Sequence, residues 1–343
     1  MWAVDYLQKS DILIISIFCI LCFILSFSVH SLKIDNYKIG FVFIVPLVFI
    51  VSYIVAFRDV YSTPDTLPYI NMIEDLRNGN EVFGYEVGFI FFVNIANIMD
   101  SSINFIFITI PTLFLLSYYF FSFKISNSVF FSCLVTIALI NYPFFYSLNG
   151  NVIRQALALS IFILSLCFND RKYLCLFGLL VSSVIHNSIF ILIVFYVLQF
   201  GFKKKYIIIF WLLATLLSYF NVLSSIISPL SQYLEGFKAA MYLKGEHDYN
   251  IGFRFDFWIM SSLPILFLLT IKNLRVENKN LLILTKLTAL VGNFHILSLI
   301  IPYSDRFGVM AWIFYPLIFI AIFKEFLINF KRKNNGYCGV ARI

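Results

Sequence analysis

Charge is scarce in this sequence. Asp, Glu, Lys and Arg together make up 13% of its 343 residues, where a soluble globular domain carries roughly a quarter. That shortage excludes an ordinary water-soluble fold. Gly-Ser linkers, heptads, low-complexity tracts and internal repeats are also missing, which excludes coiled coils and repeat arrays. There are six cysteines, of which Cys19 and Cys22 stand i, i+3 on one apolar helix with no partner pair elsewhere. Cys19, Cys22, Cys133, Cys167 and Cys175 lie in or at the ends of apolar runs, and Cys338 is in the tail. They read as small buried hydrophobes, so neither a disulfide framework nor a zinc site is expected. The first ten residues hold Asp5 and Lys9 and no basic leader. The run 12–29 is too long for the core of a signal peptide and no A-x-A site follows it, so it reads as a retained helix.

What is abundant is hydrocarbon. Hydrophobic residues make up 61% of the chain, and mean hydropathy is +0.91. Apolar runs predict helices near 11–29, 39–57, 103–121, 128–147, 152–168, 172–185, 187–200, 206–223, 257–271, 281–301 and 306–323. Several are about 17 to 20 residues long, enough to cross about 30 Å of hydrocarbon. The uncharged block 172–200 is long for one untilted span and reads as two short helices turning at His186 and Asn187. Residues 87–99 are apolar but too short to cross, which suits a re-entrant or interfacial piece.

Lys and Arg in short loops set the orientation. Lys33 and Lys38 mark one cytoplasmic loop, as do Lys124, the pair Arg171 and Lys172, and the run Lys203, Lys204 and Lys205. Lys272, Arg275 and Lys279 mark another, and Lys331, Arg332 and Lys333 mark the tail. The net charge of +7 therefore reads as membrane anchoring, with no nucleic-acid partner. All clusters share one side if 87–99 does not cross and 172–200 crosses twice. The expectation is an all-α, polytopic transmembrane bundle forming a single integral membrane domain, 1–343, with about eleven crossings. Two long polar loops, 58–86 and 224–256, fall on the outer face. The second contains Gln232, Tyr233, Glu235, Tyr242, His247, Asp248, Tyr249 and Arg254.

Charges at membrane helices cost about 2.5 to 3.5 kcal/mol at a helix centre on insertion scales, so each one outside the anchors asks for a reason. Arg58 and Asp59 end the second helix. Thr63-Pro64-Asp65 reads as a helix start with Thr63 capping, which puts Asp65 and Tyr69 on one face. In Asn149-Gly150-Asn151-Val152-Ile153-Arg154-Gln155, Asn151 is the expected cap. Arg154 and Gln155 then occupy a first turn whose free N–H groups favour anions. A guanidinium can grip phosphate through two parallel hydrogen bonds; the bland alternative is snorkelling to headgroups. His186 is a candidate base or diphosphate donor, or simply a satisfied structural residue. His295, beside Asn293, reads as a structural hydrogen bonder. Arg254, Asp305 and Arg306 begin later helices. Positive residues from five separate segments, Arg58, Arg154, His186, Arg254 and Arg306, all fall on the expected outer face. Lipid anchoring alone predicts the opposite side, so one composite site for a lipid-linked diphosphate is expected.

Several of these residues carry a resemblance. Arg58-Asp59 with Asp65 and Tyr69 is followed by Gly84-Tyr85-Glu86-Val87-Gly88-Phe89, then Asn151-Val152-Ile153-Arg154-Gln155, then His186-Asn187-Ser188. In order and spacing this resembles the EpsG family, membrane polymerases of bacterial exopolysaccharide and O-antigen synthesis often called Wzy-type. The resemblance spans roughly residues 50 to 200 and carries family roles only to Arg58, Asp59, Glu86, Arg154, Gln155 and His186. It implies a membrane bundle similar to GT-C-type glycosyltransferases in the bacterial inner membrane, with its active site facing the periplasm. It implies transfer of a growing glycan from undecaprenyl diphosphate to the non-reducing end of a new lipid-linked repeat unit. Donor and acceptor oligosaccharides, membrane lipids and a separate chain-length regulator are the implied partners. Arg154 would stabilise the leaving diphosphate, with Arg58, Arg254 or Arg306. The base could be His186, Asp59, Asp65 or Glu86. No DxD-like site stands out in the sequence, so no metal or other cofactor is expected, and single displacement would invert the anomeric centre. A flippase, an O-antigen ligase and a membrane acyltransferase are the alternatives. A flippase should carry charges deep within helices and often repeats, whereas here charge gathers at one face.

Overall fold

The computed structural model describes residues 7–32, 36–59, 61, 63–99, 103–223, 251–274 and 278–340. Residues 224–250 of the expected second outer loop, with Gln232, Tyr233, Glu235, Tyr242, His247, Asp248 and Tyr249, lie outside the described residues, as do Asp5, Lys33 and Arg275. The described residues are helical, with no strand. In chain order the helices are α1 (Lys9–Ser31), α2 (Tyr37–Ala56), α3 (Thr66–Arg77), α4 (Val87–Ile98), α5 (Ile103–Ser126), α6 (Val129–Ile140), α7 (Pro143–Gly150) and α8 (Ile153–Leu166). They continue with α9 (Lys172–Ile185), α10 (Ile189–Gly201), α11 (Lys204–Tyr219), α12 (Phe255–Asn273), α13 (Lys279–Ser298), α14 (Asp305–Trp312) and α15 (Tyr315–Val340).

Six helical stretches among the described residues are long and apolar enough to cross a membrane: α1, α2, α5, α12, α13 and the run from Asp305 to Phe330. The pair α6 and α7 makes a seventh if it is one broken span. Apolar side chains on α1 show why the protein needs lipid. Leu13, Ile20 and Phe27 are 61%, 58% and 53% exposed, a surface that water would not tolerate at this density. The protein is therefore a multi-pass membrane protein. Of the about eleven crossings expected, six or seven meet the length test. The helices α8, α9 and α10 are apolar but shorter, as is α4, which matches the expectation of a piece too short to cross.

Expected boundaries shift for identifiable reasons. The run 128–147 is two helices bent by 68°, because Pro143 opens α7 at its first turn, where its missing N–H costs nothing. The final run breaks between α14 and α15. The helix expected to start at Thr63 begins at Thr66, with Asp65 in the capping position making no side-chain cap bond. Asn151 is not the cap of α8 either; Val152 precedes that helix, and Asn151 closes α7. In both places the side chain expected to cap is engaged elsewhere in the fold. The turn at His186 is as expected: it ends α9, and its carbonyl accepts the Ile189 N–H at 3.0 Å.

The chain forms two compact units, 1–190 and 191–343. In the first, α5 is central and packs on α8, α2 and α6, while α1 lies on α6 and α2. The helix α9 packs on α8 and also on the short α4. In the second, α13 is central and packs on α12, α11 and α14. His295 on α13 has the structural role expected of it: its Nδ1 hydrogen-bonds the Ser261 hydroxyl at 2.7 Å. The Asn293 amide donates to the Ile207 carbonyl at 3.0 Å.

Candidate functional site

Glu86, just before α4, is the centre of a polar cluster in the first unit. One carboxylate oxygen forms an ion pair with Nη1 of Arg154. The other lies 2.8 Å from Nδ1 of His186. The three residues come from three different helix ends: Glu86 precedes α4, Arg154 sits in the first turn of α8, and His186 follows α9. Their side chains are 12%, 20% and 14% exposed, so the pairing is shielded yet reachable. Arg154 also donates from Nε to the Tyr69 hydroxyl at 3.3 Å. Its guanidinium lies 4.9 Å from the Tyr85 ring centroid and 5.8 Å from that of Tyr69, a cation–π arrangement that replaces some lost hydration.

Electrostatics fix the protonation pattern. Burial pushes the Glu86 carboxyl up, but the His186 hydrogen bond and the nearby charges outweigh it and hold the group at about 2. Glu86 is therefore ionised and can only accept. The proton between it and His186 must sit on Nδ1, which leaves the Nε2 lone pair as the basic position whenever the ring is neutral. Among the described residues, neither His186 Nε2 nor Arg154 Nη2 has a hydrogen-bond partner.

Arg58 occupies a neighbouring but different setting. It is only 9% exposed. Its Nη1 donates to the Val55 carbonyl at 2.6 Å, and its Nη2 donates to the Thr66 hydroxyl at 2.9 Å and to the Gly150 carbonyl. Thr63 donates to the same Gly150 carbonyl at 3.2 Å, which is why it does not cap α3. The Asn151 side chain accepts the Asp65 N–H at 3.2 Å, which is why it does not cap α8. Arg58, Thr63, Asp65, Thr66 and Asn151 thus tie the α2–α3 connection to the α7–α8 junction. They hold Tyr69 and Arg154 in register.

The remaining expected residues are placed as follows. Asp59 is exposed and accepts the Tyr61 N–H at 3.0 Å. Gln155 is buried beside Arg154. Arg254, Asp305 and Arg306 belong to the second unit. There, Arg254 donates to Asp256 through Nε at 3.2 Å and Nη2 at 2.6 Å, and its guanidinium lies 3.7 Å from the Phe257 ring centroid. Asp305 and Arg306 occupy the first turn of α14, and Arg306 lies 5.3 Å from the Tyr303 ring centroid. Sequence reasoning quoted Tyr85 and Gly88 in a motif without giving either a role. Tyr85 covers Arg154 and donates to the Pro68 carbonyl at 3.2 Å. Gly88 lets α4 lie against α9: a Cβ there would sit 2.8 Å from the Val184 carbonyl oxygen. Their place within two residues of Glu86 was the available signal.

Fold and site together define a multi-pass helical membrane protein with a shielded Arg–Glu–His cluster at meeting helix ends. A family model, that of the EpsG family, matches residues 41–341, and the chain belongs to this Wzy-type polymerase-like family. No curated protein and no solved structure matches the chain.

Proposed function

We propose that the protein is a polysaccharide polymerase of the bacterial inner membrane. It transfers a growing glycan from undecaprenyl diphosphate to the non-reducing end of a lipid-linked repeat unit, at the periplasmic face. The observation that carries this reading is the shared carboxylate of Glu86, which holds one cation and one base side by side in a chain of the EpsG family. Arg154 is the partner for the diphosphate, through Nη2 and the uncapped first turn of α8. His186 Nε2 takes the proton from the acceptor hydroxyl. The hydroxyl oxygen bonds to the anomeric carbon as the bond from that carbon to the diphosphate oxygen breaks, and the diphosphate leaves with the electron pair. Because diphosphate is a good leaving group, charge stabilisation matters more than a general acid. The displacement inverts the anomeric centre and is metal-independent, with Arg154 supplying the compensating charge. Asp59, Asp65, Gln155, Arg254, Asp305 and Arg306 remain candidates for contacts with sugar or diphosphate.

The test is deletion of the gene and complementation with wild type or Arg154→Ala, with surface polysaccharide separated on a gel and protein level read from a tag. The expected outcome is loss of the polymer ladder, leaving single repeat units, at unchanged protein level. Wild-type ladders from Arg154→Ala at normal level would overturn the reading. Absence of any repeat would indicate a flippase, and long polymer left on its lipid carrier a ligase.

A further inference from the structure

The second unit carries an apolar groove of about 530 Å³ at the α10–α11 corner, lined by Val197, Leu198, Gly201, Phe202 and Tyr206. Its volume lies within the roughly 300–1,000 Å³ range of small-ligand sites. Lysines lie against two of its walls. Lys286, on α13, donates to the Gln199 carbonyl at 3.0 Å and to the Phe202 carbonyl at 2.8 Å. Phe202 is itself a wall of the groove. The Lys205 ammonium lies 4.9 Å from the ring centroid of Tyr206, another wall. Lys204 is close enough to feel the charge of both Lys272 and Lys286. None of these lysines has an ion-pair partner among the described residues. Gathering like charges beside an apolar wall is unfavourable unless an anion joins them. Basic pockets between membrane helices suit anionic lipid headgroups.

We propose that this corner binds an anionic phospholipid, with an acyl chain in the groove and the phosphate on Lys204, Lys272 and Lys286. Chain and headgroup demands are met together: the groove offers hydrocarbon contact, and the lysines offer charge at its edge. A zwitterionic lipid would satisfy the first and gain little from the second.

Two variants of the full-length protein separate these parts. Gly201→Trp fills the groove, since a Cβ at Gly201 meets nothing within 4 Å. The double variant Lys204→Gln/Lys272→Gln lowers the charge and leaves the Lys286 bonds intact. Thermal melting in neutral detergent is read with added phosphatidylglycerol, phosphatidylcholine or inorganic phosphate. Phosphatidylglycerol is expected to raise the wild-type melting temperature by about 3–5 °C, and both variants should lose that shift. Equal shifts from phosphatidylcholine would overturn the proposal. So would a full shift from inorganic phosphate alone, or a shift retained by both variants. Native mass spectrometry of the wild type decides if the variants do not fold. A stoichiometric phosphatidylglycerol adduct supports the site, and its absence overturns it.

Discussion

Arg58 and Arg154 are both arginines near helix ends, yet their surroundings assign them different work. Arg58 spends its guanidinium on the carbonyls of Val55 and Gly150 and on the Thr66 hydroxyl, all internal groups. Removing it leaves buried acceptors unmet, at about 1–3 kcal/mol each. Arg58→Ala is therefore expected to lower the melting temperature and the membrane level of the protein. Arg154→Ala removes one of the two partners of the Glu86 carboxylate. With His186 still bonded to Glu86, it should lower the melting temperature while leaving the membrane level near wild type and abolishing polymer. Comparing tagged protein level and melting curves for the two variants checks this. Equal loss of level in both would remove the distinction. Glu86 adds a pH dependence to stability. Its folded value is depressed from the ordinary 4.5 to about 2. It contributes stability fully above about pH 4.5, and that contribution disappears as pH falls toward 2. Wild type should therefore lose stability across this window more steeply than Glu86→Gln, measured by thermal melting at stepped pH.

At the scale of elements, the site depends on how closely α4 approaches α9. Membrane helices come together where small residues let backbones touch, and Gly88 provides such a contact against Val184 and Ile185. Those two residues lead directly into His186, and Gly88 lies two residues after Glu86. Gly88→Ala is expected to cost about 1–3 kcal/mol as an overpacked contact. It should also part Glu86 from His186, cutting polymer yield further than the stability loss explains. Polymer per unit of folded protein is the measurement; an unchanged ratio would assign Gly88 to packing alone. The sequence made the residue types readable, because Arg154, Glu86 and His186 each stand out against apolar surroundings. It did not make their pairing readable. Glu86 lies 68 positions from Arg154 and 100 from His186, and local propensity carries no information over such distances. The failed caps have the same origin. Thr63 and Asn151 are good capping residues, but tertiary partners claimed their side chains first. The bend between α6 and α7 was visible in Tyr142-Pro143, where hydropathy alone reads one continuous run.

For the whole molecule, helix length separates what hydropathy shows from what it misses. A run of 14 residues such as α9 extends about 21 Å at 1.5 Å per residue, short of a full hydrocarbon core. Windows of apolar residues count such a segment as a crossing, whereas length alone does not. The expected orientation can be tested with an impermeant maleimide on intact cells, using a variant whose native cysteines are replaced by serine or alanine. Cysteines placed at the exposed Phe83 and Asn187 should label from outside, and one at Lys205 should label only after permeabilisation. Labelling of Phe83 and Asn187 from different sides would contradict the joining of Glu86 and His186.

The double use of one carboxylate has a consequence for turnover. In the resting protein, Glu86 is a resident counter-ion that keeps Arg154 neutralised in a poorly hydrated place. On the proposed reading, a diphosphate docking through Nη2 shares Arg154 with that occupant, so part of its attraction to the cation is already cancelled. The same sharing favours departure on that reading: once the sugar has moved on, the spent carrier leaves behind a cation that Glu86 still neutralises.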